Sequence, residues 1–354
     1  MTQRSGPPTV VAAAVLWGTA GTVGALAHAG SVSLAAARLV IGGAVLAAVA
    51  MCTARSASGT PSGSASGAAS GSGADAGSAT GQGSATGQAS ATGQASGAGQ
   101  RSGTGQGTTA RAARVPRILL AAGGLAVAAY QLCFFAAVAR TGVAIGTVVA
   151  IGSGPVFTGL LSWLIDRNRP SRRWAVATAA AIAGCAVLIT GGGAGGADAG
   201  GIALALLGGM LYAFYAVTAA RAIGAGMASD AVMGTLFGVA GLIMLPVLVA
   251  TGPGWLAEPR GLLTALYLGC ATTALAYVLY GRGLRTTPVA TAATLALAEP
   301  AVAAMLGLVV LHEHLSAISW GGLVLLAASL VVVALPDRRR DPAAQVPVTL
   351  SSSA

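Results

Sequence analysis

Few residues in the apolar parts of this chain can do chemistry, and one acid stands out. Glu299 is the single acid in the apolar stretch Val289–Val310, and Pro300 follows it directly. An ionised carboxylate near the middle of a bilayer costs roughly 2.5 to 3.5 kcal/mol on insertion scales, so it normally faces a bundle interior or a water-filled cavity. The proline removes a backbone donor and frees a carbonyl in the same helical turn. We interpret Glu299 as a substrate or proton site, with a structural acid hydrogen-bonded inside the bundle as the alternative.

The composition indicates that this acid lies in an integral membrane protein. Of the 354 residues, 55% are hydrophobic and 8% are charged, against about 25% charged residues in a soluble domain. The formal net charge is +10, but the arginines are spread between apolar runs without interleaved aromatic residues, so we do not expect nucleic-acid binding. The four cysteines lie in or beside apolar runs without CxxC spacing. We expect them to be reduced, buried and apolar.

Apolar runs of about 20 residues predict an all-α protein with ten transmembrane helices. A segment rich in Ser, Gly, Ala, Thr and Gln, residues 55–114, separates the second run from the third. It has no large apolar side chains to offset the entropy of ordering, so we expect a disordered cytoplasmic loop, and residues 337–354 are expected to form a disordered cytoplasmic tail. The ten runs are 9–27, 33–53, 116–138, 142–165, 173–191, 199–219, 231–250, 261–281, 287–311 and 316–335.

The arginines predict the orientation of these spans. If the N-terminus is cytoplasmic, all arginines except Arg38, Arg140 and Arg260 fall in or beside inner segments. Because cytoplasmic loops carry an excess of positive charge, this bias predicts a multi-pass protein of the cytoplasmic membrane with both termini in the cytoplasm.

An internal repeat divides the ten spans into two halves of five. At a shift of 145 residues Pro155 falls on Pro300, and at a shift of 195 Trp17 falls on Tyr212; the difference is close to the excess length of the low-complexity loop. Two copies of an odd-numbered unit insert with opposite orientations, and such inverted-topology repeats are typical of alternating-access transporters. The predicted halves are residues 1–54 with 115–194, and residues 195–336.

The repeat also predicts the wall opposite Glu299. The matching face of the fourth span carries Thr147, Gly154 and Thr158, with Gly154 at the position of Glu299 itself. One wall would offer a carboxylate among small side chains, and the other would offer two hydroxyls and a glycine. We expect them to enclose a polar cavity near the midplane that admits a small metabolite.

Aromatic residues and prolines complete the predicted site. Six aromatic residues lie on helices expected near the cavity: Trp17, Tyr130, Tyr212, Tyr215, Tyr277 and Tyr280. Trp17 is the strongest candidate because its repeat mate is also aromatic, and Tyr277 is the second residue assigned to the site. The alternative for each is an interface anchor at a span end. Pro155 and Pro300 are interpreted as a pair of hinges or broken-helix points, with tolerated kinks as the alternative.

Arg38 is a candidate coupling or gating partner of Glu299. Counted along straight helices, Arg38 lies about 8 Å below the outer surface and Glu299 about 18 Å from the inner end. A direct pair would need a snorkelling side chain. We therefore favour an interfacial arginine that bonds helix-end carbonyls.

Other site chemistries are not expected. His312, Glu313 and His314 are adjacent but lack the HExxH spacing of a zinc site, so we predict no metal. The sequence has no phosphate loop and no nucleophile elbow, so we predict no cofactor, no enzyme and no nucleotide-driven pump. Coupling would come from a proton or other ion gradient, or from substrate exchange.

The last two spans, LALAEPAVAAMLGLVVLHEHLSAISWGGLVLLAASLVV, resemble the EamA-type branch of the drug/metabolite transporter superfamily. In that family a Glu-Pro in span nine is followed by a second glutamate at the end of the helix and by a glycine-containing tenth span, which here correspond to Glu299, Pro300, Glu313 and Gly321. The resemblance implies a ten-helix inverted-repeat carrier, commonly an exporter of amino acids or related small metabolites across the inner membrane. The first half departs from the pattern, because span four ends in IDRNRP where the family often has a Gly-Glu pair.

We therefore expect a secondary transporter, an exporter of amino acids or related small metabolites. Uptake and multidrug efflux remain alternatives within transport. More remote alternatives are a membrane scaffold with the loop as its binding arm, and an enzyme acting on lipid-linked substrates, which would need paired acids at one depth. The expected partners are a small molecule and the lipid bilayer, and the sequence leaves a homodimer open.

Overall fold

The computed structural model describes residues 6–24, 29–58, 116–167, 170–191, 198–310 and 314–335, and within them the chain is helical with no strand. A 3-10 turn, Gly254–Ala257, precedes the helix Pro259–Leu266, and a π-helical segment, Tyr267–Leu275, joins that helix to the helix Ala276–Gly283. The helices are α1 (Gly6–Gly24), α2 (Ser31–Ser58), α3 (Arg117–Asp166), α4 (Arg172–Thr190), α5 (Ala199–Gly224), α6 (Ser229–Ala250), α7 (Pro259–Leu266), α8 (Ala276–Gly283), α9 (Val289–Leu295), α10 (Ala298–Val310) and α11 (Ala317–Ala334).

Eight helical stretches in this described part are long and apolar enough to cross a membrane, where the sequence predicted ten spans. One of the eight, Arg117–Ile165, has 49 residues, about twice the length that a bilayer requires. It is broken at Gly142, whose backbone adopts φ 81° and ψ 162°. The helix α1 has 19 residues and is not among the eight.

Three helices begin at side-chain caps that the sequence supplies. The hydroxyl of Ser171 accepts a hydrogen bond from the Trp174 N–H at 3.2 Å, and Ser316 caps α11 in the same way. The carboxylate of Asp198 accepts from the Gly201 N–H at 2.8 Å at the start of α5. Each cap satisfies one of the donors that a helix start leaves free, and so fixes where the helix begins.

Glycines let the helices approach closely. A Cβ added to Gly184 of α4 would lie 2.8 Å from the Gly322 carbonyl oxygen of α11, and one added to Gly322 would lie 2.8 Å from the Gly184 carbonyl oxygen. Between α2 and α6, a Cβ on Gly234 would lie 2.7 Å from the Leu46 carbonyl oxygen. Lipid tails are as apolar as leucine, so close backbone packing of this kind is the usual source of helix association in membranes.

Several sequence predictions are corrected or lie outside the described residues. The cysteines are free, but Cys185 alone is buried; Cys133 is half-buried, and Cys52 and Cys270 are exposed because they point away from the bundle. The helix α2 continues to Ser58, four residues into the segment predicted to be disordered. The rest of that loop up to residue 114, the tail after residue 336, and the pair at positions 312 and 313 fall outside the described residues.

Candidate functional site

A cavity of about 580 Å³, with the open solvent at its mouth included, lies where α1, α2, α3, α5 and α8 meet the junction of α9 and α10. Its wall combines aromatic rings with one cationic and one acidic side chain. The residues that line it are Trp17, Arg38, Tyr130, Ala150, Ile151, Pro155, Tyr212, Tyr215, Tyr277, Ala293, Ala296 and Glu299.

The aromatic part of the wall is one connected group of rings. The Trp17 ring centroid lies 5.0 Å from that of Tyr277 and 5.4 Å from that of Tyr280. The rings of Tyr130 and Tyr212 lie 6.3 Å apart, and the Tyr212 hydroxyl lies 3.4 Å from the Tyr280 hydroxyl. These spacings are those of favourable tilted aromatic pairs, so the rings stabilise one another.

Arg38 and Glu299 bring opposite charges to the same cavity from different helices. Both side chains are half-buried. In the described part of the chain neither takes part in an ion pair; the ion pairs found there join Arg140 to Asp198 and Arg282 to Asp230. The guanidinium and the carboxylate therefore face the cavity space without neutralising each other through a direct contact.

Two hydrogen-bond donors at the cavity have no acceptor among the described residues. They are the indole Nε1 of Trp17 and the Nε of Arg38, and both atoms are buried. Buried polar groups in native proteins are nearly always paired, so an unpaired donor needs a partner such as water or a ligand. Both groups donate and cannot accept, which suits them to an anionic oxygen.

The break between α9 and α10 positions Glu299. The helix α9 ends at Leu295, the Leu297 N–H donates to the Thr294 oxygen at 3.0 Å, and the Glu299 N–H donates to the Ala296 oxygen at 3.0 Å. Such tight turns replace regular α-helical bonds just before Pro300, which has no N–H to continue the ladder. Glu299 thus lies in the first turn of α10, where the helix dipole favours negative charge.

The predicted site residues divide into two groups. Trp17, Arg38, Pro155, Tyr277 and Glu299 all line the cavity. The geometry differs from the sequence-based preference for Arg38 as an interfacial residue bonded to helix-end carbonyls.

The other group does not line the cavity. The Thr158 hydroxyl is fully buried and donates to the Gly154 carbonyl oxygen at 2.8 Å, so it is used within its own helix. Gly154 packs under the ring of Tyr212, since an added Cβ would lie 3.0 Å from its Cδ1. Thr147 is half-buried, and neither it nor the buried Pro300 belongs to the lining.

Tyr130, Tyr212 and Tyr215, which lie on helices that the sequence placed near the cavity, also line it. The repeat singles out Tyr212 among them, because it is the mate of Trp17. Tyr130 and Tyr215 have no aromatic mate, so the repeat does not distinguish them from aromatic residues that anchor span ends. These tyrosine rings line the cavity together with Glu299, whereas the hydroxyls of Thr147 and Thr158 do not.

Comparison with known proteins gives a consistent family match. The chain matches the model of the EamA-like transporter family over residues 103–190 and 199–335. It is 37% identical over 228 residues to the uncharacterized transporter YwfM of Bacillus subtilis (strain 168), covering 64% of this chain and 76% of that protein. It is 28% identical over 218 residues to the uncharacterized inner membrane transporter YicL of Salmonella typhimurium (strain LT2), covering 60% and 71%. A solved crystal structure with 17% identity aligns with a TM-score of 0.68 over 94% of this chain and 99% of the other, which is a likeness of fold.

Proposed function

Because the chain belongs to the EamA-like transporter family, we propose that it is a secondary transporter that exports amino acids or related small metabolites by alternating access. The observation that carries the proposal is the cavity among membrane-length helices, which holds one carboxylate and unpaired donors. Such a site can bind a small polar molecule at membrane depth, where an isolated charge would otherwise be costly.

The proposal includes ten spans in two inverted halves. The described helices support it if α1 counts as a span and α3 counts as two, divided at Gly142. The multi-pass chain would lie in the cytoplasmic membrane with both termini in the cytoplasm, as the arginine bias predicts.

Equivalent contacts in the two halves support the inverted repeat. A Cβ on Gly124 would lie 2.8 Å from the Leu236 carbonyl oxygen, and a Cβ on Gly269 would lie 2.7 Å from the Ile41 Cβ. A shift of 145 residues carries Gly124 onto Gly269, and a shift of 195 carries Ile41 onto Leu236. The contact of Gly124 with Leu236 in one place therefore corresponds to the contact of Gly269 with Ile41 in the other, by the same two shifts that relate the halves in sequence. Two halves related by a pseudo-twofold axis require such paired contacts.

Substitution of Glu299 tests the proposed role. We expect Glu299→Gln to weaken transport in vesicles or to make it independent of pH, because glutamine has the same shape but can neither carry the charge nor exchange the proton. Glu258→Gln is the matched control, since Glu258 is exposed at the start of α7 and outside the cavity. Unchanged transport by the Glu299→Gln protein, inserted to the same level as wild type, would reject the site.

The same vesicles separate the alternatives. A panel of metabolites and cationic drugs, loaded inside or added outside, distinguishes export from uptake and from multidrug efflux. Imposed proton or substrate gradients identify the coupling. Loss of transport after deletion of residues 58–108 would favour a scaffold or binding role for the loop, and retained transport would argue against it. Glu299 is the single acid among the residues that line the cavity. An enzyme mechanism that uses two carboxylates would lack its second carboxylate in this cavity.

A further inference from the structure

We propose that Thr294 and Leu297 are positioning residues of Glu299. Held against α4 and α11, they maintain the tight turn between α9 and α10 that directs the carboxylate into the cavity. The inference rests on the role proposed for Glu299 and adds the residues that keep this side chain in place. Thr294 and Leu297 do not line the cavity, so they act through Glu299 and not on the transported molecule.

The backbone hydrogen bonds of the turn align its side chains in two rows. The Leu297 N–H donates to the Thr294 oxygen and the Glu299 N–H to the Ala296 oxygen, each at 3.0 Å. Bonds of this span wind the chain at three residues per turn, so side chains three positions apart eclipse. Leu297 therefore stands over Thr294 on one face, and Glu299 stands over Ala296 on another. The cavity agrees with this register, because Ala296 and Glu299 line it and the other two residues do not.

A buried hydrogen bond joins the first row to α4. The Thr294 hydroxyl donates to the Ala290 carbonyl oxygen at 3.0 Å and lies 2.9 Å from the Thr178 hydroxyl. A hydroxyl has one proton to donate, so the bond between the two threonines runs from Thr178 to Thr294. Both threonine side chains are buried. The bond restrains the rotation of α9 about its axis just before the turn.

Leu297 continues the same row into the pair formed by α4 and α11. Its side chain is fully buried and belongs to one apolar cluster with Ala181, Cys185, Leu188, Leu323 and Leu326. Besides their close glycine contacts, the two helices are joined where α11 ends, because the Arg173 guanidinium of α4 donates to the Leu335 carbonyl oxygen at 3.1 Å. A close-packed interior resists changes of shape, so the pair provides a firm seat for Leu297.

The seat and the direction of the carboxylate depend on the same winding. Three residues of an α-helix turn the chain through about 300° instead of a full circle. Relaxing the turn to regular helix would therefore rotate Leu297 by about 60° relative to Thr294, and Glu299 by the same angle relative to Ala296. Leu297 would leave its seat as the carboxylate left the cavity face. The packing of Leu297 thus favours the winding that points Glu299 into the cavity.

The first half of the chain lacks both anchors and lacks the turn. At the shift of 145 residues, Leu297 matches Gly152, which has no side chain to seat, and Thr294 matches Val149, which has no hydroxyl. The first half has the matching proline, Pro155, yet α3 continues through it as a helix. A proline at this position therefore does not by itself produce the turn, and the two anchors are what the second half adds.

Carboxyl labelling of the purified full-length chain tests the proposal without any substrate. A water-soluble carbodiimide activates accessible carboxyl groups, glycinamide converts them to amides, and mass spectrometry measures the modification of Glu299 relative to Glu258. Glu258 is exposed at the start of α7 and serves as the internal reference. Both acids should react in the wild-type chain, because the cavity opens to solvent.

Two variants on different helices should lower the labelling ratio of Glu299 to Glu258. We expect Leu297→Ala to lower it about tenfold, because the truncation removes the contacts that hold the turn. Thr178→Val should lower it about threefold through loss of the hydroxyl that donates to Thr294. Thr178 belongs to α4, so this effect would reach Glu299 only through the contact between the helices.

Matched variants separate positioning from a general loss of stability. Leu297→Met keeps an apolar side chain of similar volume and should retain the wild-type ratio. Leu46→Ala makes the same truncation at an equally buried position of α2. It should lower the melting temperature, as Leu297→Ala does, and leave the ratio unchanged. Glu299→Gln should lose the modification at position 299, which verifies the assignment of the labelled peptide.

An unchanged ratio in folded Leu297→Ala, or an equal fall in Leu46→Ala, overturns the proposal. If Leu297→Ala does not fold, Thr178→Val decides by the same criterion. Absence of labelling at Glu299 in the wild-type chain also overturns it, since the carboxylate would then not face the cavity. Because labelling needs no transport, the expected ratios in a chain that transports nothing support the positioning and reject the transport function. Transport with an unchanged ratio in the variants rejects the positioning and retains the transport function.

Discussion

Replacing Gly18 with alanine should separate α1 from α10 beside Glu299. A Cβ at this position would lie 2.6 Å from the Val302 Cβ and 2.7 Å from the Glu299 carbonyl oxygen. Ordinary contacts of a Cβ begin near 3.4 Å, so the two helices must move apart by about 0.8 Å. The Glu299 oxygen belongs to the backbone, which cannot swing aside as the end of a long side chain can.

The expected cost follows from this displacement. Overpacking by one carbon typically destabilises a protein by about 1 to 3 kcal/mol. In a helix interior alanine is more favourable than glycine by up to about 1 kcal/mol, which offsets part of that loss. Gly21→Ala is the matched control on the same helix, because its Cβ would meet nothing within 4 Å and it has the propensity gain alone. The two variants should differ by about 1 to 3 kcal/mol in stability, with Gly18→Ala the less stable.

Thermal unfolding in one detergent and transport in vesicles measure the effect. At roughly 2 °C per kcal/mol for a chain of this size, Gly18→Ala should melt about 2 to 6 °C below Gly21→Ala. Transport should fall in Gly18→Ala, because the segment that shifts carries Glu299, and should be retained in Gly21→Ala. Equal melting temperatures and equal transport rates in the two variants would refute the close packing of α1 on α10.

Two further predictions concern stability. Asp198→Ala should lower the unfolding free energy by about 1 kcal/mol through loss of its hydrogen bond to the Gly201 N–H. Asp198→Asn should stay near wild type in thermal unfolding, because the amide can still cap and the exposed pair with Arg140, at 3.8 Å, contributes little. The buried hydroxyls of Thr178 and Thr294 lie 2.9 Å apart, so each Thr→Val change should cost about 1 kcal/mol. The double variant should cost less than the sum of the two, and strict additivity would argue against the bond.

Helix positions were predictable where a cap or a polar residue bounds an apolar run. The runs at 173–191, 231–250 and 316–335 agree within about two residues with α4, α6 and α11. Ser171 and Ser316 supply side-chain caps for two of these helices. Hydropathy is a strong signal here because a span without water must satisfy its backbone bonds internally.

Breaks within helices were less predictable. The two prolines were expected to act alike, yet α3 continues through Pro155, whereas the helix before Pro300 is interrupted at positions 296 and 297. A proline removes one backbone bond, and whether the helix bends or breaks depends on neighbours that the local sequence does not specify. The π-helical segment Tyr267–Leu275 likewise has no sequence signal, although the Thr273 hydroxyl bonds the Leu268 oxygen within it at 2.9 Å.

The position of Arg38 was missed because depth was counted along straight helices. That count separated Arg38 from Glu299, whereas both line one cavity. The span that carries Glu299 is divided into α9 and α10, so residue numbers along it do not convert directly into depth. The long arginine side chain adds reach that counting of Cα positions ignores.

The difference between Gly154 and Glu299 explains how related halves can form an asymmetric site. The two positions match in the repeat, as do Tyr212 and Trp17. The Tyr212 ring lies against Gly154, where an added Cβ would be 3.0 Å from its Cδ1, so a carboxylate in that place would collide with the ring. In the other half Trp17 and Glu299 both line the cavity. Gly154 therefore leaves room for the Tyr212 ring at a position where a second acid could otherwise stand. The cavity is left with a single acid, Glu299, which can balance the single positive charge of Arg38.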